Sequence, residues 1–394
     1  MKRFADDIGA ETRTRTIIED KRPKIPSRYR VSCEQTGKDG EDVVRFVSPQ
    51  HNVTLKGRSL GAFVQHVAPL LDGRHTISEI HAHVSESFSR EDLDTCLTLL
   101  SVNGVLEDSS KRELAIGIQE RLHPQLNAFQ ELSLQPIEFQ DRLARACVAV
   151  LGLTGAGTAA ARSVVAAGIG ELRCIDDGEV RPADMYFSPE FTPRDRGSLR
   201  CDAIRRHLRQ EGANVILKTH AVRLPDEAAI EERIAGCDFV VNCTGEEDIS
   251  LVHKLNRVCW RNRIPWTSAT ASGLEVVIGP TVYPGETACY LCYRMRLLAC
   301  ADDPEISLDF ESSIGLRKTD DAVRRGSLVF GATIAGQLAG MEVLKALTQA
   351  REAVATRGRI WVLDLRDLSS TMHPVLRKPW CPACFENWDE ETRT

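Results

Sequence analysis

The stretch Val148–Gly157, VAVLGLTGAG, decides the fold. An apolar run leads straight into Gly152-x-x-Gly155-x-Gly157, and GTAAARSVVAAG continues with small apolar residues at helical spacing. An apolar run bounded by glycine reads as a buried strand, and the small-residue segment as a helix packed closely on it. Glycines in such a turn permit close backbone approach, and the helix N-terminus offers N–H donors to an anion. The spacing departs from G-x-G-x-x-G, so the same turn also reads as one needed only for packing. Asp176 ends the next apolar run, ELRCIDD, where a carboxylate can accept a ribose hydroxyl.

Downstream the alternation continues with helix RCDAIRRHLRQEG, strand VILKTHAV, helix DEAAIEERIAG and strand DFVVNCT. Residues 146–388 therefore read as a doubly wound α/β domain with a mostly parallel sheet. Upstream, YRVSCEQ, DVVRFVS and NVTLKG are short β-type runs. Three helical segments follow, the second opening on a Thr76-x-x-Glu79 capping box and the third on Ser89. This makes residues 25–108 a small α+β module of winged-helix type. Residues 1–24 are charged and loose in composition, 109–145 form a linker and helical lead-in, and 389–394 a tail.

A formal net charge of -6 over 394 residues gives no basic field for nucleic acid. The third helix of the module, SREDLDTCLTLL, opens acidic and would repel phosphates, which excludes DNA reading. The N-terminus has no apolar run, and Ser327–Leu347 is interrupted by Gln337, Glu342 and Lys345, so a buried or interface helix is expected there and no membrane span. Thirteen cysteines without an export signal point to reduced thiols and the cytoplasm. Cys147, Cys174, Cys237, Cys243 and Cys259 sit singly in apolar segments and read as small hydrophobes.

Four cysteines differ. CYLC supplies Cys289 and Cys292, and CPAC supplies Cys381 and Cys384. Each C-x-x-C sets two sulfurs on one turn, so two pairs complete a tetrahedral zinc site with no open position, tying the C-terminal tail to the middle of the domain. Unrelated pairs or disulfides are the alternatives, disfavoured in a cytoplasmic chain.

The order of glycine loop, acidic strand end, GPTVYPGETACYLC and closing CPAC resembles the ubiquitin-activating, ThiF-like superfamily of adenylating enzymes. GPTVYPGETACYLCYRMR is similar to versions beside thiazole/oxazole-modified microcin (TOMM) clusters. Residues 25–108 resemble the PqqD-like precursor-peptide recognition element. The resemblance implies a homodimer, magnesium-ATP, and arginines on the triphosphate. Here its residues are altered: Asp184 stands at an asparagine place, Phe187 at an arginine, Ser188 at a glutamine, Arg200 at a lysine, and Gly245 at the magnesium aspartate. Replacing a guanidinium by a phenyl ring removes charge-assisted donors worth ~1.5–3 kcal/mol each.

These features lead to a non-catalytic binding protein of ribosomal-peptide antibiotic biosynthesis. It would hold the precursor's leader and present its core to a YcaO-type cyclodehydratase, which makes azolines. The leader would add to the strand HNVTLKG, with Val53, Leu55, Lys56, Leu93 and Leu97 as candidate contacts; each apolar one also reads as core. The alternative is an active enzyme adenylating a carboxylate or amide of the bound peptide, with Arg200 and Glu246 or Glu247 serving the phosphates and magnesium. Gly152, Gly155, Gly157 and Asp176 would then bind nucleotide. The charged run Ala301–Gly326 reads as a crossover loop.

Overall fold

The computed structural model describes residues 21–385 apart from 37–40, 50, 59, 110–115, 133–135, 211–214, 246–248, 307, 309–327 and 349–352. Most of the Ala301–Gly326 run, with Glu246, Glu247 and both termini, lies outside the described residues. The chain divides into two units, Met1–Glu138 and Phe139–Thr394.

In the first unit, β1 (Pro23–Lys24) precedes an antiparallel meander of β2 (Arg30–Thr36), β3 (Glu41–Val47) and β4 (Asn52–Gly57). Val44 pairs with Cys33 and Leu55, which leaves β4 with one unpaired edge among the described strands. Helices α1 (Leu60–His66), α2 (Ile77–Val84) and α3 (Arg90–Val102) follow, and β5 (Glu107–Asp108) pairs back on β1. Helix α2 starts where Thr76 Oγ1 accepts the Glu79 N–H at 3.2 Å and Glu79 Oε2 accepts the Thr76 N–H at 2.8 Å, so two otherwise orphaned donors are satisfied. Ser89 caps α3 through the Asp92 N–H. Phe46, Phe63, Ile80, Leu93, Leu97 and Leu100 close the core. Full burial of each such side chain contributes ~1.5–3 kcal/mol. Helix α4 (Ile116–Leu132) completes the unit, and α5 (Pro136–Leu143) spans the division.

The second unit continues with β6 (Cys147–Leu151), α6 (Ala156–Ala166), β7 (Glu171–Ile175), α7 (Pro182–Phe187), α8 (Arg200–Gln210), β8 (Ile216–His220), α9 (Glu227–Ile234), β9 (Phe239–Asn242) and α10 (Ile249–Arg261). Then come β10 (Trp266–Ser272), β11 (Glu275–Ile278), α11 (Tyr290–Ala299), α12 (Val329–Leu347), β12 (Arg359–Asp364) and β13 (Ser370–Pro374). The sheet order is β13-β12-β11-β10-β9-β6-β7-β8. Strands β10, β9, β6, β7 and β8 are parallel, as the glycine-bounded runs imply. The other three are antiparallel, so the sheet is mixed. The direction changes at Gly273-Leu274, where Gly273 takes φ +61° and Ser272 pairs with Glu275, a two-residue hairpin in place of a helical crossover.

Strand β6 explains why its sequence is apolar without alternation. Val148 and Val150 face α6, α8 and α12, while Ala149 and Leu151 face α9 and α10, so both surfaces are buried. On α12, Gly336 and Gly340 lie against Ala156, Ala159, Ala160 and Ser163 of α6, leaving no room for larger side chains. This helix is core along that face, and Phe330 and Met341 are 68% and 48% exposed elsewhere on it. No helix among the described residues is long and apolar enough to cross a membrane.

Candidate nucleotide and metal sites

The glycine loop leaves β6 at its carboxyl end, where ligands of open α/β sheets sit. Gly152 has φ +82°, and a Cβ there would lie 2.8 Å from the Cys243 backbone; one on Gly157 would overlap Gly152 O. Glycine is therefore required by packing at both positions, whatever the loop binds.

Three groups of the chain itself occupy the donors around this loop. The Leu153 N–H donates to Asp176 Oδ2 at 2.7 Å. The Gly155 N–H donates to Ser188 Oγ at 2.8 Å, and Ser188 is fully buried. Asp176 Oδ1 accepts the Gly178 N–H at 2.7 Å and Arg200 Nη1 at 3.3 Å. Arg200 Nε and Nη2 both donate to Asp184 Oδ2, at 3.0 and 2.9 Å. The Asp184 side chain is fully buried and that of Arg200 is 11% exposed. Burial works against the guanidinium charge, but the Asp176 and Asp184 carboxylates more than offset it, and the Arg200 pKa is raised. All three guanidinium nitrogens are thus engaged inside the chain, and Asp176, Arg200 and Asp184 together carry a formal charge of about -1.

Phe187 is half-buried and stacks edge-on with Tyr186, ring centroids 4.9 Å apart. Its Cβ and that of Ala332 lie 3.5 and 2.8 Å from where a Cβ on Gly155 would sit, so both residues flank the loop. Gly245 has φ +76° with open space beside it, and Asn242 Oδ1 accepts both the Thr244 hydroxyl and, at 3.4 Å, its N–H. Glu246 and Glu247 lie outside the described residues. The pairing of Asp184 with Arg200 is not evident in the sequence, although both members are visible there, an acid and a cation 16 residues apart.

The second site is the four-cysteine cluster. Cys289 caps α11, Cys292 lies in its first turn, and Cys381 and Cys384 occupy the turn after Trp380, where φ is +56°. All four are buried, with their sulfurs mutually within 4.8 Å. Cys289 and Cys292 are 3.9 Å apart, Cys289 and Cys381 3.6 Å, and Cys292 and Cys384 3.5 Å. Zn–S bonds of ~2.3 Å in a tetrahedron require sulfurs about 3.8 Å apart. The cluster thus fits a tetrahedral thiolate metal. The Lys378 N–H points at Cys292 Sγ from 3.3 Å, a donor suited to thiolate charge.

The proposed peptide contacts separate by burial. Leu93, Leu97 and Val53 turn into the core of the first unit, Leu55 is half-buried and Lys56 exposed.

The mixed sheet, with the glycine loop on its parallel part, and the four-cysteine cluster define a chain built like an adenylating enzyme. The ThiF family pattern matches residues 124–383, and the chain belongs to the ThiF family. It is 25% identical over 247 residues to the molybdopterin-synthase adenylyltransferase of Salmonella typhimurium, covering 63% of this chain and 90% of that protein. To the Escherichia coli sulfur carrier protein ThiS adenylyltransferase it is 28% identical over 156 residues, 40% and 61% of the two chains. Among solved structures, E. coli MccB superposes with a TM-score of 0.68 at 18% identity, over 93% of this chain and 98% of that one. MccB, the microcin C7 biosynthetic enzyme, has also been solved with ATP and with N-formylated MccA.

Proposed function

We propose that this ThiF-family chain is a peptide-binding member of ribosomal-peptide biosynthesis whose own nucleotide site is silent. It holds the leader of a precursor peptide and presents the core to a separate YcaO-type cyclodehydratase, raising effective concentration without supplying chemistry. The observation that carries the reading is the state of Arg200. At the start of α8 it takes the place that the family resemblance gives to a phosphate-binding cation, yet every nitrogen is committed to Asp184 or Asp176. A magnesium-bound triphosphate arriving there meets net negative charge, a phenyl ring at Phe187 and no carboxylate at Gly245. The likeness to MccB, solved with MccA, supports a peptide as the bound partner.

The leader adds to the unpaired edge of β4 by main-chain hydrogen bonds. Because Val53, Leu93 and Leu97 are core, side-chain recognition falls on Leu55 and Lys56. Zinc in the four-cysteine cluster is structural, since four thiolates leave no open position. A homodimer covering Phe330 and Met341 belongs to the same reading.

One fact favours a second reading, an active peptide-adenylating enzyme: the family relatives above are adenylyltransferases. Pyrophosphate exchange with the full chain and precursor peptide separates the two. A silent binding protein gives none, and holds its leader in the absence of nucleotide.

A further inference from the structure

Cys147 and Cys237 lie 90 positions apart in sequence, yet their sulfurs are 3.4 Å from each other. Cys147 is the first residue of β6. Cys237 follows the Ala235-Gly236 turn after α9, where Gly236 takes φ +74°. The backbones are pinned together: the Asp238 N–H donates to Cys147 O at 2.7 Å, and the Cys147 N–H donates to Asp238 Oδ2 at 2.8 Å. Neither thiol belongs to the four-cysteine cluster. Both sit at the amino end of the parallel strands, opposite the glycine loop.

Charge is arranged around the pair. Arg173 Nη1 donates to Arg233 O at 3.0 Å and Ala235 O at 2.8 Å, which holds the guanidinium beside the turn leading into Cys237. Its Nε donates to Glu171 Oε1 at 2.7 Å, and the same oxygen lies 3.5 Å from Cys147 Sγ. Cys147 and Cys237 are 8% and 6% exposed, whereas Cys174 and Cys259 are fully enclosed.

We propose that Cys147 and Cys237 form a dithiol modification site that a hydroperoxide converts to a disulfide. The contact with Cys147 and the Arg173 guanidinium, fixed beside the turn into Cys237, hold the Cys237 thiol below its ordinary range, while Cys147 Sγ faces the Glu171 Oε1 acceptor, which favours its protonated form. Cys237 is therefore the attacking sulfur. Its thiolate takes one oxygen of hydrogen peroxide, giving a sulfenic acid; the O–O bond breaks and, with one proton, a water leaves. The Cys147 sulfur then attacks that sulfenic sulfur. The S–S bond forms, the S–O bond breaks, and the Cys147 proton departs with hydroxide as a second water. Two thiols are oxidised by two electrons and one peroxide is reduced to two waters. Closing so long a loop constrains the unfolded chain and fastens β6 to the entry of β9.

The test treats the full-length, zinc-loaded protein with stoichiometric hydrogen peroxide, blocks free thiols and maps non-reduced peptides by mass spectrometry. The expected product is a peptide pair linked through Cys147 and Cys237, reversed by dithiothreitol, with zinc retained and the melting temperature raised by several degrees. Cys147→Ser is expected to stop at a dimedone-trapped sulfenic acid on Cys237, and Cys237→Ser to leave Cys147 unmodified. Recovery of both residues as blocked free thiols in the wild-type protein, while peroxide consumes the zinc cysteines or the exposed Cys33 and Cys300, overturns the proposal. That mapping uses the wild-type chain alone, so it decides the matter even where a substituted chain fails to fold.

Discussion

Arg200 is the side chain on which the proposed silence of the nucleotide site turns, because its guanidinium is engaged by Asp184 and Asp176. A cation beside the glycine loop is free to meet phosphate only if nothing nearer neutralises it, and here the fully buried Asp184 does so with Asp176. Arg200→Ala is expected to strand Asp184 as an uncompensated buried charge and cost about 3–5 kcal/mol in chemical denaturation. Leader affinity should stay unchanged in whatever fraction folds. An adenylating enzyme would show the reverse, lost turnover with modest loss of stability. Glu171 gives a prediction in pH. Burial raises its pKa, but hydrogen bonds from Lys218 and Arg173 prevail and hold it at about 2. A depressed carboxylate contributes stability above its unfolded value, near 4.5, and loses it as pH falls through the folded one. Acid unfolding of Glu171→Gln, followed by circular dichroism from pH 5 to pH 2, should therefore be flatter than wild type.

At the level of elements, small residues and sulfur carry the second unit. A methyl group on Gly336 has nowhere to go between α12 and α6, so Gly336→Ala should destabilise by about 1–3 kcal/mol in urea titration. Cys381→Ser should abolish stoichiometric zinc in metal analysis and lower the melting temperature, because the segment after β13 is tied to α11 through the cluster. Much of this is legible in the sequence. Strands β6 and β9 announce themselves as apolar runs, and the two C-x-x-C pairs name their own partners. The antiparallel arm does not. All five residues of β13 are exposed, so no apolar alternation marks it, and β11 is four residues long. The contacts that matter most around the loop, Asp184 with Arg200 and Ser188 with Gly155, exist only once α7 and α8 fold over it. Cys147 and Cys237 look like solitary hydrophobes in the sequence because 90 residues separate what β6 and β9 bring together.

Across the whole molecule, the proposed function divides labour between a first unit that would hold the leader and a ThiF-type unit that would be retained for its shape. Substitutions should follow that division. Lys56→Glu is expected to weaken leader binding by fluorescence anisotropy without moving the melting temperature, since Lys56 is exposed on β4. Leu97→Ala should cost about 2–5 kcal/mol of stability, since Leu97 is only 3% exposed within the core. The most direct measurement is calorimetric titration of magnesium-ATP into the full-length, zinc-loaded chain, beside a titration of leader peptide. Binding heat for the peptide and none for the nucleotide is the predicted pair of results. Saturable nucleotide binding with pyrophosphate release would show that Arg200 is free to serve phosphate after all.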